Sequence, residues 1–129
     1  MDNMLWDTPS HIRRNVRVMC DNAGLSFMTK NIICSIIRQE SNWNPKAINT
    51  KNLNGTKDYG LLQINDHVGY WIGPGLYFAS TNEVLSDPKK SVDFVIMQAK
   101  ANNLKIWSSV KFNQYLKWMI VESLPSVAY

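Results

Sequence analysis

The sequence has few of the residues that build metal centres and covalent frameworks. Its 129 residues include two cysteines, Cys20 and Cys34, and two histidines, His11 and His67, which lie far apart in the chain. Neither cysteine has a partner at metal-ligand spacing, so we expect no metal and no cofactor. A single Cys20–Cys34 disulfide would be compatible with the sequence, but two buried thiols are the commoner arrangement in a reducing compartment.

The sequence also lacks several patterns that would assign it to other classes. No stretch reaches the ~18 apolar residues that a membrane helix needs, so we expect no membrane insertion. Residues 1–7 have neither the basic start nor the apolar run of a signal peptide. There is no internal repeat, low-complexity linker, Gly-rich phosphate loop or nucleophile elbow.

Length and charge favour one small basic domain. A chain of 129 residues with 45% hydrophobic content suits a single domain over residues 1–129, which we expect to be a monomer. The net charge of +4 and the pI of about 9.1 favour anionic partners, among which acidic cell-wall polymers are as good a candidate as nucleic acid, although ordinary solubility is the commoner reason for such a charge. Basic residues are scattered, with Arg13-Arg14 and Lys89-Lys90 as the only pairs, so we expect no nucleic-acid interface.

An apolar run that ends in a carboxylate is the first sign of chemistry. The run predicts a helix from about Thr29 to Gln39, with Thr29 as its N-cap. At 100° per residue Glu40 lies on the apolar face of this helix, together with Ile33, Ile36 and Ile37. A carboxyl group packed against aliphatic side chains loses hydration in its ionised form, so its pKa rises. Glu40 is therefore a candidate general acid.

A second carboxylate follows in a predicted hairpin. The Asn54-Gly55 pair favours a tight turn because both residues tolerate positive φ, and it separates Ala47-Ile48 from the stretch that begins at Tyr59. Asp58 would then lie on the returning strand, which brings it back towards Glu40. Residues 48–65 carry the only β signal in the chain. Two carboxylates, one in apolar and one in polar surroundings, are the arrangement used by glycoside-cleaving enzymes.

These residues resemble a known superfamily. The segments from Glu40 to Asn49 (ESNWNPKAIN) and from Asp58 to Asn65 (DYGLLQIN) resemble the lysozyme-like superfamily, both its soluble lytic transglycosylases (SLT type) and its c-type lysozymes. The resemblance implies a mainly helical α+β fold with a small β-hairpin sheet beside an active-site cleft. It also implies that the substrate is the peptidoglycan glycan strand, cut at the β-1,4 bond between N-acetylmuramic acid and N-acetylglucosamine.

The resemblance assigns roles to individual residues. Glu40 would be the general acid and base, and Asp58 the second carboxylate. Trp107 would pack on Glu40 and help keep it protonated, or would simply fill the core. Further substrate-binding positions are Ser41, Tyr59, Gln63 and Asn65. From the residues alone, Ser41 would bond Glu40 or help end the helix, and Gln63 and Asn65 alternate with apolar neighbours as in a half-buried strand.

Two products are compatible with this site. In a retaining hydrolase Asp58 attacks or stabilises the sugar cation, and in a lytic transglycosylase the muramic acid 6-hydroxyl closes a 1,6-anhydro ring. The Asn-Pro-Lys-Ala-Ile-Asn run that begins at Asn44 favours the transglycosylase slightly. Against it, residues 112–115 (FNQY) stand where that family has an Ala-Tyr-Asn-Ala-Gly motif. The same fold could also serve as a non-catalytic wall-binding or virion structural module, or as a chitin-directed glycosidase.

The rest of the chain is predicted to frame this site. Thr8-Pro9 starts a first helix that stops at Gly24, with the arginines Arg13, Arg14 and Arg17 on a solvated face. Residues 66–80 form an aromatic-rich loop, whose Trp71 either lines a saccharide groove or plugs the core.

Two further helices are predicted in the C-terminal half. Asp87-Pro88 caps one helix, and the last runs from about Ser109 to Ser123. The last helix would bury Phe112, Tyr115 or Leu116, Met119 and Ile120. Since the sequence shows no leader, we expect synthesis in the cytoplasm and action on the cell wall through phage lysis or delivery in a virion, unless the sequence begins after a removed leader.

Overall fold

The computed structural model describes residues 4–129, so residues 1–3, at the start of the segment without signal-peptide features, lie outside it. The helices are α1 (Pro9–Asn22), α2 (Phe27–Ser41), α3 (Thr81–Ser86), α4 (Pro88–Lys100), α5 (Ser108–Lys111) and α6 (Met119–Glu122). Two 3₁₀ helices, Leu104–Ile106 and Gln114–Trp118, flank α5. The strands are β1 (Ile48–Asn49), β2 (Asp58–Tyr59) and β3 (Ile64–Asn65). The predicted mainly helical α+β class is confirmed.

The first helix begins and ends as predicted. The Thr8 hydroxyl accepts a hydrogen bond from the backbone N–H of His11, and Pro9 occupies the first helical position, where its missing N–H leaves no bond unmade. Gly24 follows the helix at a φ of +75°, which a residue with a Cβ rarely adopts.

The second helix is longer than predicted. Its N-cap is Ser26, whose hydroxyl accepts from the backbone N–H of Thr29, so the predicted cap at Thr29 is wrong. The helix ends one residue beyond Glu40, at Ser41, because Asn42 takes the left-handed conformation (φ 51°). Glu40 therefore lies within the last turn and has a fixed direction.

The hairpin prediction is confirmed in its strands and wrong in its turn. Ile48 pairs with Tyr59 and Asn49 with Asp58, both antiparallel, and β3 then pairs with β2. The link between β1 and β2 spans residues 50–57, and within it only Gly55 has positive φ. The loop is longer than a two-residue turn because asparagine side chains close it with local hydrogen bonds, such as that from the Thr56 N–H to Asn54 Oδ1.

Gln63 does not lie on a strand. It occupies the turn between β2 and β3 with a φ of +50°, and its side-chain amide donates to the backbone oxygens of Ala47 and Gly60. These two bonds tie the turn to the residue before β1. The prediction of an alternating strand that includes Leu62 and Gln63 is therefore wrong. The strand β3 begins only at Ile64.

Most of the core lies between α1, α2 and α4. Asp87 caps α4 as predicted, since its carboxylate accepts from the N–H of Lys90. The short α3, capped by Ser80, was not predicted. Phe78 is fully buried and makes tilted contacts with Phe94. The buried apolar residues of the three long helices are Ile12, Val16, Met19, Cys20, Ile33, Cys34, Ile36, Ile37, Val92, Phe94, Val95 and Ile96.

The predicted last helix, Ser109–Ser123, is broken into three short pieces. Asn113 takes positive φ (60°) and ends α5, a 3₁₀ helix follows, and only then does α6 begin. The burial predicted from helical periodicity is therefore wrong at three positions, because Phe112, Leu116 and Ile120 are exposed. Tyr115 and Met119 are partly buried.

The arginines of α1 also differ from the prediction. Arg13 is 4% exposed, and its Nε donates to Glu122 Oε1 at 2.7 Å. Arg17 is partly buried and donates to Asn31 and to the backbone oxygen of Glu122. Only Arg14 is exposed as expected. The C-terminal segment folds back over α1, so a face that looks solvated in the sequence becomes an interior contact.

The two cysteines are free thiols in the core. Burial raises the pKa of Cys20 to about 12 and that of Cys34 to about 11, so neither forms a reactive thiolate near neutral pH. Among the helices within residues 4–129, none has both the length and the apolar character required to cross a membrane.

Candidate active site

Glu40 faces an open cleft between the helices and the sheet. The cleft has a volume of about 550 Å³, and Asp58 lines it together with Glu40. Burial raises the pKa of the Glu40 carboxyl above its usual range, and the negative charge of Asp58 raises it further. The hydroxyl of Ser109 lowers that pKa because it favours the ionised form. Glu40 thus has the environment expected of a carboxylic acid that keeps its proton.

Asp58 is held by three side-chain amides. Its Oδ2 accepts from Asn49 at 3.1 Å and from Asn52 at 3.0 Å, and its Oδ1 accepts from Asn65 at 2.7 Å. The three donors come from β1, from the β1–β2 loop and from β3, so the fold of the sheet assembles them around β2. The sheet region therefore fixes this carboxylate at the cleft, in a polar environment unlike that of Glu40.

Trp107 also lines the cleft. The residue is 5% exposed, and its indole N–H donates to the backbone oxygen of Leu62 at 2.6 Å. Ile106 and Ser108, on either side of it, also line the cleft. The hydrogen bond to Leu62 ties residues 106–108 to the turn before β3, so the large ring is rigidly placed in the same cleft as Glu40.

The remaining predicted positions divide into two groups. Gln63 and Asn65 line the cleft. The Gln63 amide donates to the backbone of the turn and the Asn65 amide donates to Asp58, so both side chains stabilise the site structure. Ser41 and Tyr59 do not line the cleft. The Ser41 hydroxyl donates to the Ile37 carbonyl at 3.2 Å, one turn back within α2, and the Tyr59 hydroxyl donates to Asp66.

Trp71 lies beside the cleft rather than in it. It lines a small neighbouring cavity of about 60 Å³, which also touches Asn65 and Trp107. Its ring packs edge-on against Phe94, with the ring centroids 5.1 Å apart. Trp71 is only partly buried, so it combines core packing with one exposed edge near the groove.

Several residues of the site were not predicted from the sequence, including Asn49, Ile106 and Ser108. Asn52 and Thr56 line the cleft from the β1–β2 loop, and Leu53, at the cleft rim in that loop, is fully exposed. Ser109 is 1% exposed, and its hydroxyl has no hydrogen-bond partner of ordinary geometry among residues 4–129, although it is near enough to Glu40 to affect its pKa. The asparagine-rich composition of residues 49–54 was a usable signal for the amide cluster. Nothing in the sequence pairs Ser109 with Glu40.

The site is built from carboxylates, amides and aromatic rings. Within residues 4–129 no group of three or more His, Cys, Asp or Glu side chains is arranged to hold a metal ion. What the arrangement offers chemically is a proton donor in apolar surroundings, a fixed carboxylate and a polar groove with room for sugar rings.

Comparison with known proteins agrees with this geometry. Residues 23–110 match the family model of the transglycosylase SLT domain, a range that includes both carboxylates and Trp107. Lysozyme 2 of Lucilia sericata is 39% identical over 61 residues, which are 47% of this chain and 39% of that protein. Protein IpgF of Shigella flexneri is 43% identical over 47 residues, which are 36% of this chain and 30% of that protein.

A third relative is the milk isozyme of lysozyme C from Equus caballus, which is 50% identical over 40 residues, or 31% of this chain and 30% of that protein. These three matches thus span well under half of each relative's length. The family model, in contrast, covers more than half of this chain, and the chain belongs to the transglycosylase SLT domain family.

Proposed function

We propose that this protein degrades peptidoglycan by cleaving the β-1,4 bond between N-acetylmuramic acid and N-acetylglucosamine. The observation that carries the proposal is the pair of carboxylates in one cleft, Glu40 with a raised pKa and Asp58 held by three amides. Two carboxyl groups in such unlike surroundings suit glycosidic bond cleavage. Membership of the SLT family, and the names of the two lysozyme relatives, support the same class of reaction.

Glu40 begins the reaction as a general acid. It transfers its proton to the glycosidic oxygen as the bond from that oxygen to C1 of the muramic acid breaks. The sugar ring then carries an oxocarbenium-like positive charge, and Glu40 is left as a carboxylate. Asp58 stabilises that cation through its negative charge.

The second step decides the product. We propose that the muramic acid 6-hydroxyl attacks its own C1 and that its proton returns to Glu40, which gives a 1,6-anhydro sugar without consuming water. The SLT family match favours this outcome. Glu40 is then ready for another turnover.

A retaining hydrolase is the second candidate. It is favoured by the placement of Asp58, whose carboxylate lies in the cleft and is held on both oxygens. In that mechanism Asp58 bonds to C1 or stabilises the cation, Glu40 removes a proton from water, and water supplies the new hydroxyl of a reducing sugar. Phage delivery to the wall stays a prediction for either candidate.

The test is mass spectrometry of the soluble products from purified peptidoglycan, digested in H₂¹⁸O. A lytic transglycosylase releases muropeptides that are one water lighter than reducing sugars and contain no ¹⁸O, whereas a hydrolase places ¹⁸O at the reducing end. Glu40→Gln, which cannot donate the proton, should release neither product. Glu83→Gln, a surface change on α3, should behave as the parent protein. Absence of product from the parent on walls of several chemotypes would overturn the enzyme proposal.

A further inference from the structure

A second cavity lies on the other side of α1 from the core. Its volume is about 380 Å³, and none of the residues that line it also lines the cleft of Glu40 and Asp58. One wall is the polar face of α1 and the start of α2, and the other is the C-terminal segment, which contributes Ser126 and Tyr129 among others. Nothing in the proposed reaction uses this cavity.

The lining is strongly cationic. Four basic side chains line the cavity, but Asp21 is the only carboxylate side chain in the lining, so positive side chains exceed negative ones by three. The basic residues are Arg13, Arg14, Arg17 and Lys30. Lys30 Nζ lies 2.7 Å from Asp21 Oδ1 and is thereby neutralised. Arg13 is likewise paired with Glu122, whose Oε1 lies 2.7 Å from its Nε, so the excess charge resides on Arg14 and Arg17.

Two of the three arginines are fixed in place by the fold. Arg13 binds Glu122 and, through Nη2, the backbone oxygens of Glu122 and Leu124 at 2.9 and 2.6 Å. Arg17 uses Nη1 to bind Asn31 and the Glu122 carbonyl at 3.0 Å each. A guanidinium held along one edge loses little further freedom when its other edge binds a ligand.

The remaining edges are unsatisfied within the part of the chain that the structure describes. Arg13 Nη1 and the Nε and Nη2 of Arg17 donate to no protein atom there, and among residues 4–129 Arg14 forms no hydrogen bond or ion pair. None of these nitrogens is among the side-chain atoms that are both buried and unpartnered, so water reaches them. Arg17 gives the strongest support for an anion site, because its charge is partly buried and the acceptors that it binds are all neutral.

We propose that this cavity is an anion site that binds a phosphate group, held by Arg14, Arg17 and the free edge of Arg13. Tetrahedral phosphate accepts several N–H bonds from convergent guanidinium groups at once, which a planar carboxylate does less well. The hydroxyl of Ser126 offers a further donor on the opposite wall. The phosphate belongs to a larger anionic molecule, for which a wall polymer of the glycerol-phosphate type and a phospholipid headgroup are the two sources.

The first experiment is a calorimetric titration of the full protein with inorganic phosphate at pH 7 and fixed ionic strength. Arg14→Ala is the informative variant, because the Arg14 side chain is exposed and forms no hydrogen bond or ion pair with another residue of the 4–129 range. We expect it to weaken phosphate binding about fivefold or more, the value of a partly exposed charged hydrogen bond. Lys100→Ala, which removes an exposed charge at the end of α4, is the matched control and should leave binding unchanged.

A second variant and a second ligand test the same site independently. Ser126→Glu places a carboxylate on the exposed wall of the cavity and should abolish phosphate binding without disturbing the core. Glu40→Gln should bind phosphate as the parent does, because the two cavities share no residue. Equal weakening by Lys100→Ala, or acetate binding as tightly as phosphate, would overturn the proposal.

The source of the phosphate is decided by two further probes. A soluble glycerol-phosphate oligomer and vesicles of phosphatidylglycerol in phosphatidylcholine are titrated in parallel against parent and Arg14→Ala protein. Binding of one probe that depends on Arg14 identifies the source and supports the site. Binding of neither, while inorganic phosphate also fails to bind, would overturn it.

Discussion

Arg13 Nε donates to Glu122 Oε1 at 2.7 Å, although 109 residues separate the two and neither side chain is more than 5% exposed. The same carboxylate accepts from the Trp43 indole at 2.9 Å and from the Tyr129 hydroxyl, and Arg38 lies 3.4 Å away. Trp43 and Arg38 flank Glu40 in sequence. Glu122 therefore joins α1, the end of α2 and the C-terminal segment behind the candidate active site.

Replacing Glu122 by alanine should destabilise the protein strongly. Removing one partner of a buried ion pair leaves the other charge uncompensated, and we expect the free energy of unfolding to fall by about 3–5 kcal/mol. Urea denaturation followed by tryptophan fluorescence measures it. Glu83→Ala is the control, because its 2.8 Å pair with Lys90 is about one-third exposed, and an exposed ion pair contributes little to stability. Similar small losses from both variants would contradict a stabilising role for the cluster.

Asp58→Asn should lower the pKa of Glu40. The negative charge of Asp58 raises that pKa, so its removal makes the Glu40 proton easier to lose. Because a general acid must be protonated, the alkaline limb of the kcat/KM profile should move to lower pH. NMR titration of ¹³C-labelled glutamate carboxyls reports the same shift even in an inactive variant. Asp93→Asn, on the exposed face of α4, should not move it, and an upward shift in Asp58→Asn would contradict the prediction.

Ser109→Ala should have the opposite effect. The Ser109 hydroxyl favours the ionised form of Glu40, so its loss should raise the pKa and move the alkaline limb to higher pH. Ser109→Thr keeps a hydroxyl and should restore the parent profile. Ser91→Ala is a close control, since Ser91 is the other buried serine whose hydroxyl lacks a partner among residues 4–129, and it lies on α4. An identical pH shift in Ser91→Ala would point to a general loss of packing instead.

Gly60→Ala should cost more stability than Gly55→Ala. Both glycines have φ near +80°, where a Cβ is disfavoured by about 1 kcal/mol. A Cβ at Gly60 would also meet Val84 Cγ1 at 3.2 Å and the Pro45 backbone oxygen at 3.5 Å, whereas one at Gly55 meets no atom within 4 Å. We expect about 1–3 kcal/mol of additional destabilisation at Gly60 from this crowding. Thermal denaturation of the two variants gives the difference, and equal losses would refute the close approach of α3 to the sheet.

Much of the fold near the site could be predicted from local signals. Thr8 and Asp87 cap their helices through short side chains that reach the backbone three residues on, which is visible in sequence. Glu40 was predicted from its period with the buried isoleucines, and the strand that carries Asp58 from the turn residues before it. These features depend on neighbours within a few positions, so no knowledge of the tertiary structure was needed.

The predictions that failed concern contacts between distant segments. The periodicity of residues 109–123 was helical, yet Asn113 breaks it, and the buried residues of this stretch are the polar Ser109 and the charged Glu122. Arg13 looked solvated because its partner lies at the other end of the chain. Ser109 shows the same limit at the site, since it approaches Glu40 only when α5 packs on α2.

The sequence by itself determined where α1 and α4 begin, the two carboxylates and the family to which the chain belongs, because capping, periodicity and motif spacing are local properties. Only the tertiary structure decided which amides hold Asp58, which hydroxyl faces Glu40 and where the arginines of α1 point. Those choices are set by burial and by hydrogen bonds between segments up to 111 residues apart, whose energies depend on a geometry that exists only in the folded chain.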